Sequence, residues 1–295
     1  MFFNINKSNK SHRKNANRTA RKGQRRLGVE HLEDRTLLTT TWIIMDFTPD
    51  SHPGNFVETF NQTTTQGGHL PRWLDFNKDG RLSDTDVQMA ADQITGRVQS
   101  YFSAAAAGRD VRVRYGDVFT LSNLGTQWIN WGRQYADQQV SVMYVGGTNR
   151  GGGYLGMAPV APDGSNVEGY GETYSRALAN WMVSQDPRDT GRFTTTDFVN
   201  RMAQVAAHEL GHMFGLRHNL GNMQNNVMNP SQPNNPAAAR FLDRWVNTTN
   251  GYQQNAFREL RASFAGQRPC AGNPNPESLQ MFFNFRKPHS LSIFS

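Results

Sequence analysis

Cysteine is nearly absent from this sequence of 295 residues, and Cys270 stands alone, so no disulfide framework can form within one chain. Long apolar runs are also missing. No stretch approaches the roughly 18 apolar residues of a membrane-spanning helix, and we expect no membrane span. At 37% hydrophobic residues the chain can still bury one sizeable core, so one domain with tails fits its length better than two domains.

A basic excess is missing from most of the chain. The net charge is +7, but residues 1–40 hold ten of the 31 Lys and Arg residues and three of the 24 Asp and Glu residues. The remainder therefore carries 21 residues of each sign and is neutral overall. Because the folded part offers no excess of positive charge, we expect no nucleic-acid partner.

The basic residues are concentrated in an N-terminal leader. Residues 1–26 are rich in Asn, Ser, Lys and Arg, and this composition predicts disorder. They lack the apolar region of an ordinary signal peptide. Residues 25–39 (RRLGVEHLEDRTLLT) resemble the L-E-x-R-x-L-L-S segment near the start of many secreted and surface proteins of planctomycete bacteria. The resemblance implies export to the medium or the cell surface; the alternative is an amphipathic segment that packs on the domain.

The strongest pattern in the chain is HELGHMFGLRH at residues 208–218. If residues 199–214 are helical, His208 and His212 lie four residues apart on one face, where both imidazoles can bind one zinc ion. Gly215 can adopt the left-handed conformation that ends a helix and turns the chain back, which makes His218 a third ligand. Three neutral imidazoles leave one tetrahedral position for water, as in catalytic zinc sites. The alternative is a histidine-rich amphipathic helix without a metal.

Glu209 follows the first histidine directly and cannot comfortably reach the same metal ion. Its carboxylate can instead accept a proton from a zinc-bound water and pass it to a leaving amine, a role worth typically about 10²–10⁴-fold in rate. Zinc would lower the pKa of that water toward ~7 and polarise the scissile carbonyl. The pattern thus predicts a zinc endopeptidase. The alternative is a surface module that binds zinc and calcium without turnover, but such a module has no use for Glu209.

A tight-turn sequence around Met228, NNVMNP at residues 225–230, follows the third histidine. Together with H-E-x-x-H-x-x-G-x-x-H, it resembles the metzincin clan of zinc endopeptidases. The resemblance implies a protein or peptide substrate and an apolar floor of Met228 under the histidines. It also implies an α+β fold with a mixed twisted sheet, a long first helix, a zinc-site helix and a C-terminal helical subdomain below the cleft. Pro230 stands where astacins and serralysins have a tyrosine, so no tyrosine partner is expected there.

A glycine-rich segment precedes this motif. Residues 153–158 are similar to the G-x-L-A-H-A strand that borders the cleft in matrixin-like metzincins, where an extended peptide can pair with the backbone. Met157 replaces the histidine of that strand, so a second zinc is not expected. The alternative is a flexible glycine loop. The substrate-binding residues predicted from this similarity are Gly153, Tyr154, Leu155, Gly156, Met157 and Ala158.

An acidic loop lies earlier in the chain, at residues 75–86 (DFNKDGRLSDTD). Oxygen donors occupy loop positions one, three, five, nine and twelve, and glycine occupies position six, which is the spacing of an EF-hand-type calcium loop. The closing Asp86 makes it similar to dockerin loops, of which the chain has one copy. The alternative is an acidic turn that caps the next helix through Asp84 or Asp86. The predicted calcium ligands are Asp75, Asn77, Asp79, Arg81, Ser83 and Asp86.

Periodicity predicts the remaining elements. Strands are expected at residues 42–47, 111–115 and 140–145, and helices at 87–102, 237–246 and 253–264. Residues 170–184 are ambiguous between strand and helix. We therefore expect a leader at 1–40, a catalytic domain at 41–267 with the calcium loop inserted, and a tail at 268–295, in a monomeric protein.

Overall fold

In a computed structural model of the chain, two compact units are present, Met1–Thr36 and Leu37–Ser295. All of the residues that the structure describes belong to the second unit. The predicted leader up to residue 39, the predicted tail, Gly153 and Cys270 lie outside them. The described residues are 40–47, 55–106, 108–115, 139–148, 154–158, 170–220, 225–230, 235–249 and 251–264.

A five-stranded sheet in the order β2-β1-β3-β5-β4 forms the frame of the described part. The first four strands of that order run parallel, and β4 pairs antiparallel with β5 at the outer edge. The predicted strands at 42–47, 111–115 and 140–145 are confirmed within one residue at either end. The strands are β1 (Thr41–Asp46), β2 (Val111–Tyr115), β3 (Gln139–Val145), β4 (Gly156–Met157) and β5 (Tyr170–Thr173).

Burial explains why β1 lies inside the sheet and β2 at its edge. All six residues of β1 are buried, as expected for a parallel strand that is covered on both faces. Strand β2 instead alternates buried valines with exposed arginines, and the guanidinium groups of Arg112 and Arg114 lie 5.4 and 4.7 Å from the ring centroid of Trp42. These charged side chains suit the outer strand of a sheet, since they oppose pairing with another chain.

Two long helices, α2 (Asp84–Ala106) and α4 (Thr195–Met213), pack against each other and against the sheet. The core between them is closed by aromatic rings: Phe102 of α2 contacts Phe214, Phe241 and Phe264, with ring centroids 5.2–5.6 Å apart for the first two and 6.2 Å apart for the third. No helix in the described ranges is both long and apolar enough to span a membrane. The helices are α1 (Phe56–Gln62), α2 (Asp84–Ala106), α3 (Ser175–Gln185), α4 (Thr195–Met213) and α5 (Ala256–Phe264).

The C-terminal region differs from the predicted helical subdomain. The segment predicted as a helix at 237–246 holds a 3-10 turn, Pro236–Ala238, and the strand β6, Trp245–Asn247. The segment predicted as a helix at 253–264 begins with the strand β7, Gln253–Asn255, and only then continues as α5. Strands β6 and β7 pair as an antiparallel hairpin. Gly251, in the connection between the two strands, has a positive φ of 80°, a conformation that glycine adopts without strain.

The acidic loop leads directly into α2, and Asp86 is its fully buried member. Its Oδ1 atom accepts hydrogen bonds from the backbone N–H groups of Phe76 and Asn77 at 2.8 and 3.0 Å. Its Oδ2 atom accepts from the N–H and hydroxyl groups of Ser83 at 2.9 and 2.7 Å. Burial alone would raise the pKa of Asp86, but these hydrogen bonds outweigh it and hold the pKa below its ordinary value. Asp86 therefore joins the first turn of the helix to the loop backbone at Phe76 and Asn77.

The other carboxylates of this loop accept bonds from its backbone. Asp75 accepts from the N–H groups of Asp79 and Gly80 at 3.2 and 2.9 Å. Asp79 accepts from the N–H of Arg81 at 2.8 Å. Where the chain is described, the carboxylate oxygens of residues 75, 79 and 86 do not all lie within 4.8 Å of one another. Calcium binding by this loop stays a prediction.

Candidate metal centre

Helix α4 carries two of the three predicted ligands, and its start is fixed by a capping box. The Thr194 side chain accepts a hydrogen bond from the backbone N–H of Asp197, and the Asp197 carboxylate accepts one from the backbone N–H of Thr194. These two bonds satisfy N–H groups that a helix start otherwise leaves without partners. The capping box thereby stabilises the start of the helix that carries His208 and His212 near its other end.

The end of α4 turns the chain back towards the site. Gly215 has φ 87°, as predicted, and its N–H donates to the carbonyl of His212 at 2.9 Å. The N–H of Leu216 donates to the carbonyl of Gly211 at 2.8 Å. This pair of bonds is the Schellman arrangement, which requires a residue in the left-handed conformation just after the helix. The reversal returns the chain to the helix face that bears the first two histidines.

The three predicted ligands come together as the sequence pattern requires. The Nε2 atoms of His208 and His218 are 2.9 Å apart, and the Nε2 atom of His212 lies 3.1 Å from each of them. In the part of the chain that the structure describes, this is the one group of three or more His, Cys, Asp or Glu side chains whose donor atoms converge. Nitrogens this close together can all lie about 2.0–2.1 Å from a single zinc ion.

The protonation of two of these rings is set by main-chain carbonyls. The Nδ1 atom of His208 lies 2.7 Å from the carbonyl oxygen of Val227, and the Nδ1 atom of His212 lies 2.8 Å from that of Leu216. A carbonyl can only accept, so each Nδ1 carries the proton and each Nε2 a lone pair. Two lone pairs that face each other at 3.1 Å repel unless a cation lies between them. The donor set therefore fits a metal ion, and the carbonyls orient the ligands.

Burial keeps all three histidines neutral. The pKa of His208 is lowered to about 4, mainly by burial; the Val227 hydrogen bond opposes this shift and the neighbouring His218 ring adds to it. Burial also lowers the pKa of His212 well below its ordinary value and lowers the pKa of His218. A neutral imidazole is the form that binds a metal ion. The site is thus ready for a cation at neutral pH without first losing protons.

The same shift predicts how the metal-free protein responds to acid. His208 has an ordinary pKa of 6.5 and a folded pKa of about 4, so between these values the unfolded chain binds more protons than the folded chain. Stability is therefore lost as the pH falls through this range. We expect the urea midpoint, measured with chelator present, to fall between pH 7 and pH 5, and His208→Asn to reduce that fall. Equal pH dependence of the urea midpoint in the wild type and in His208→Asn would contradict the prediction that His208 causes this fall.

Glu209 is buried on the same helix, and burial raises its pKa to about 8 in the metal-free protein. A cation on the histidines would favour its ionised form, because opposite charges attract. Strand β4 closes directly over it at Gly156. A Cβ atom there would lie 2.6 Å from Cγ and 2.7 Å from Oε1 of Glu209, and 3.0 Å from the carbonyl oxygen of Glu172. Only glycine fits this position without moving the Glu209 carboxylate.

Met228 is fully buried against the middle of the motif. A Cβ atom at Gly211 would lie 2.5 Å from its Sδ atom, so the methionine occupies the space that the missing side chain leaves next to His212. Backbone carbonyls of the turn around Met228 also accept hydrogen bonds from the ligand His208 and from Asn219, the residue after the ligand His218. The turn provides the Val227 carbonyl for His208, and the Met228 carbonyl accepts the N–H of Asn219 at 3.1 Å. A floor of Met228 directly under the histidines stays a prediction.

The other predicted site residues lie in two places. The described residues of the predicted edge strand form β4 and its flanks, where Tyr154 and Met157 are exposed by 72% and 52% and the others are half-buried. The predicted calcium ligands lie in the separate loop before α2. Sequence reasoning missed Gln254, whose side chain bonds to the main chain of Arg217 and to the side chain of Asn219, the two neighbours of His218 in the chain. A single glutamine outside a motif gives no sequence signal for such a role.

These residues define a mixed α/β protein with a mostly parallel sheet and a three-histidine site that fits a zinc ion. No family model and no curated protein matches the chain. Among solved structures the chain is similar to archaemetzincin from Methanopyrus kandleri, with 14% identity and a TM-score of 0.33 over 77% of this chain and 96% of that chain. A similarity at this level carries no functional assignment, which rests on the geometry of the histidines and Glu209.

Proposed function

We propose that this protein is a zinc-dependent endopeptidase of the metzincin type. The observation that carries the proposal is the convergence of the three histidine Nε2 atoms on one point. The buried carboxylate of Glu209 lies beside this point and is not needed as a metal ligand. Zinc at that point would supply a Lewis acid and a water nucleophile at neutral pH. A protein that only stores or senses zinc needs the histidines but not Glu209.

In this proposal Glu209 is the general base. It lies next to the ligands on α4 but is held away from them by the helix, so its carboxylate can accept a proton and pass it to a leaving amine. Gly156 confines the carboxylate from the side of the sheet. The three histidines stay neutral throughout, because burial lowers the pKa of each of them. The proton movement is thus assigned to a single residue.

The substrate in this proposal is an extended peptide. Strand β4 is the outer strand of the sheet that the described residues form, and it lies directly over Glu209. A peptide added to that edge would pair through its backbone, which is how sheet edges recognise chains of varied sequence. The exposed side chains of Tyr154 and Met157 would then contact the substrate. The alternative is a zinc-binding surface module without turnover. It does not explain why β4 packs directly over Glu209.

The test combines metal analysis with digestion. Purified protein is expected to contain about one zinc per chain and to cleave a denatured protein mixture into peptides that mass spectrometry identifies. A chelator should stop cleavage, and added zinc should restore it. Zinc at one per chain without any cleavage would favour the surface module. Cleavage that survives full removal of the metal would contradict the proposal.

Gly156→Ala is expected to lower kcat strongly and to leave the zinc content unchanged. The new methyl group would overlap Glu209 and displace its carboxylate, and a misplaced catalytic group costs on the order of 10²-fold in rate. Gly96→Ala on α2 is the matched control, since a Cβ atom there meets nothing within 4 Å. Digestion rates and zinc content of both variants check the prediction. Wild-type kcat in Gly156→Ala would show that this contact does not position the base.

We also propose that residues 75–86 bind one calcium ion. Calcium bound only to the folded form would raise stability by about 2.7 kcal/mol at a concentration 100 times its Kd, so the melting temperature should rise with calcium. Asp79→Ala should flatten this response. Asp86→Asn should destabilise the protein with or without calcium, because Asp86 accepts hydrogen bonds from four backbone and side-chain donors of the loop. Equal melting temperatures of the wild type in millimolar calcium and in chelator would leave the acidic turn as the explanation.

Export is the remaining part of the proposal. Its support is the likeness of residues 25–39 to the export segment. Fractionation of the source bacterium tests it, with the protein expected in the medium or at the cell surface. Recovery from the cytosol alone would contradict it.

A further inference from the structure

We propose that Gln254 is a positioning residue for the third metal ligand, His218. The inference rests on the proposed metal site, and it does not depend on peptidase activity. Gln254 lies in β7, is 6% exposed and is separated from the histidine motif by more than thirty residues. Its role follows from three hydrogen bonds of one side-chain amide.

The amide of Gln254 binds both main-chain groups of the residue before His218. Its Oε1 atom accepts from the N–H of Arg217 at 2.9 Å, and its Nε2 group donates to the carbonyl of Arg217 at 2.6 Å. The same Nε2 group donates to the side-chain oxygen of Asn219 at 3.2 Å. An amide is the side chain that offers a donor and an acceptor side by side, so it can bond to the N–H and the carbonyl of one residue as a neighbouring strand would.

The hairpin that contains Gln254 also forms hydrogen bonds to the residues around His218. The N–H of Thr249 donates to the carbonyl of His218 at 3.0 Å, and the N–H of Leu220 donates to the carbonyl of Asn247 at 2.7 Å. Asn219 and Thr248 form an antiparallel bridge between them. Main-chain hydrogen bonds thus join His218 and Leu220 to the β6–β7 hairpin. The side chain of Gln254 adds the bonds to Arg217, at the end of this segment nearest helix α4.

The third ligand needs this support more than the other two do. His208 and His212 are spaced by the hydrogen bonds of α4 itself, whereas His218 lies outside any helix or strand. Its Nε2 atom must nevertheless stay 2.9–3.1 Å from the other two. Loss of the Gln254 bonds would free the Arg217 peptide group and widen the range of positions of the His218 ring. Supporting residues of metal ligands typically change metal affinity by about 10–100-fold.

The experiment compares Gln254→Met with Gln253→Met. Both changes replace an amide with an apolar side chain of similar length in the same strand, but the exposed Gln253 bonds only to the Asn247 side chain, at 3.3 Å. Co²⁺ is the probe: its affinity is measured by competition with a chromophoric chelator, and its visible spectrum reports the coordination. We expect Gln254→Met to weaken Co²⁺ binding about 10–100-fold and to alter the spectrum, and Gln253→Met to match the wild type.

A double variant separates positioning from general destabilisation. If Gln254 acts through His218, Gln254→Met should cause no further loss of affinity in a His218→Ala background. An equal loss in that background, or wild-type affinity and spectrum in Gln254→Met, would overturn the proposal. Should Gln254→Met fail to fold, Gln254→Glu takes its place, since it keeps the acceptor for Arg217 and loses the donor, and the same loss is expected.

The two proposals fail in different ways. Wild-type protein that binds no Co²⁺ would overturn both the metal site and the role of Gln254. Normal Co²⁺ binding with the predicted Gln254 effect but no peptidase activity would leave this inference in place and remove only the endopeptidase. Normal binding that Gln254→Met does not change would remove this inference alone.

Discussion

Glu209→Ala protein is expected to keep about one zinc per chain and to lose nearly all peptidase activity. The three Nε2 atoms that converge on the metal position belong to other residues, so the ligand set is intact in the variant. What the variant loses is the group that moves the proton, a contribution typically worth about 10²–10⁴-fold in rate. Zinc content and kcat on a defined peptide check the prediction.

Glu209→Gln is the matched variant, because it keeps the size of the side chain and its contact with Gly156. It should be as inactive as the alanine variant, which would separate the loss of the base from the opening of a cavity. In the metal-free state it has a second expected effect. Burial raises the pKa of Glu209 from 4.5 to about 8, so between these values the contribution of this residue to stability falls as the pH rises, which partly offsets the opposite contribution of His208. Glu209→Gln should remove this offset and steepen the loss of stability between pH 7 and pH 5. A Glu209→Gln enzyme that digests protein at the wild-type rate would end the assignment of the base.

His218→Ala is expected to weaken zinc binding by orders of magnitude and to abolish activity. The variant keeps two histidines that the helix alone can hold, and these no longer form the three-nitrogen set that leaves a single open position. Zinc retained after dialysis against a mild chelator measures the loss. His69→Ala is the control, since His69 is exposed and lies in a separate loop.

Unchanged zinc content in His218→Ala would show that residue 218 is not a ligand. The site would then be a two-histidine motif, and the position of the Nε2 atom of His218, 2.9 Å from that of His208, would need another explanation. The Gln254 proposal would fail with it.

The parts of the site that the sequence predicts are those set by local geometry. His208, His212 and Gly215 could be placed because helix periodicity and the left-handed conformation act over a few residues. The contact of Gly156 with Glu209 could not be placed, because it depends on how β4 packs over α4. A glycine in a loop sequence does not show which side chain it makes room for.

The fold was predictable to a similar extent. Strands β1, β2 and β3 were predicted from apolar runs and alternation, because burial of one or both faces imposes those patterns. The hairpin at 245–255 was missed: its short strands carry polar residues, and the spacing of their few apolar side chains also fits a helix. The role of Gln254 was out of reach for the same reason, since it follows from the hairpin's position against residues 217–220.

The parallel sheet has a consequence for the speed of folding. Strand β1 lies between β2 and β3, yet these partners begin only at Val111 and Gln139, so each pairing must close a long loop before it gains stability. Such non-local pairings make folding slow and leave the apolar run of β1 exposed in the meantime. The three histidines, by contrast, all lie between residues 208 and 218, and a metal ion that joins them closes only a short loop. A zinc ion bound there would therefore add stability to the finished fold without bringing β1 any closer to its partner strands.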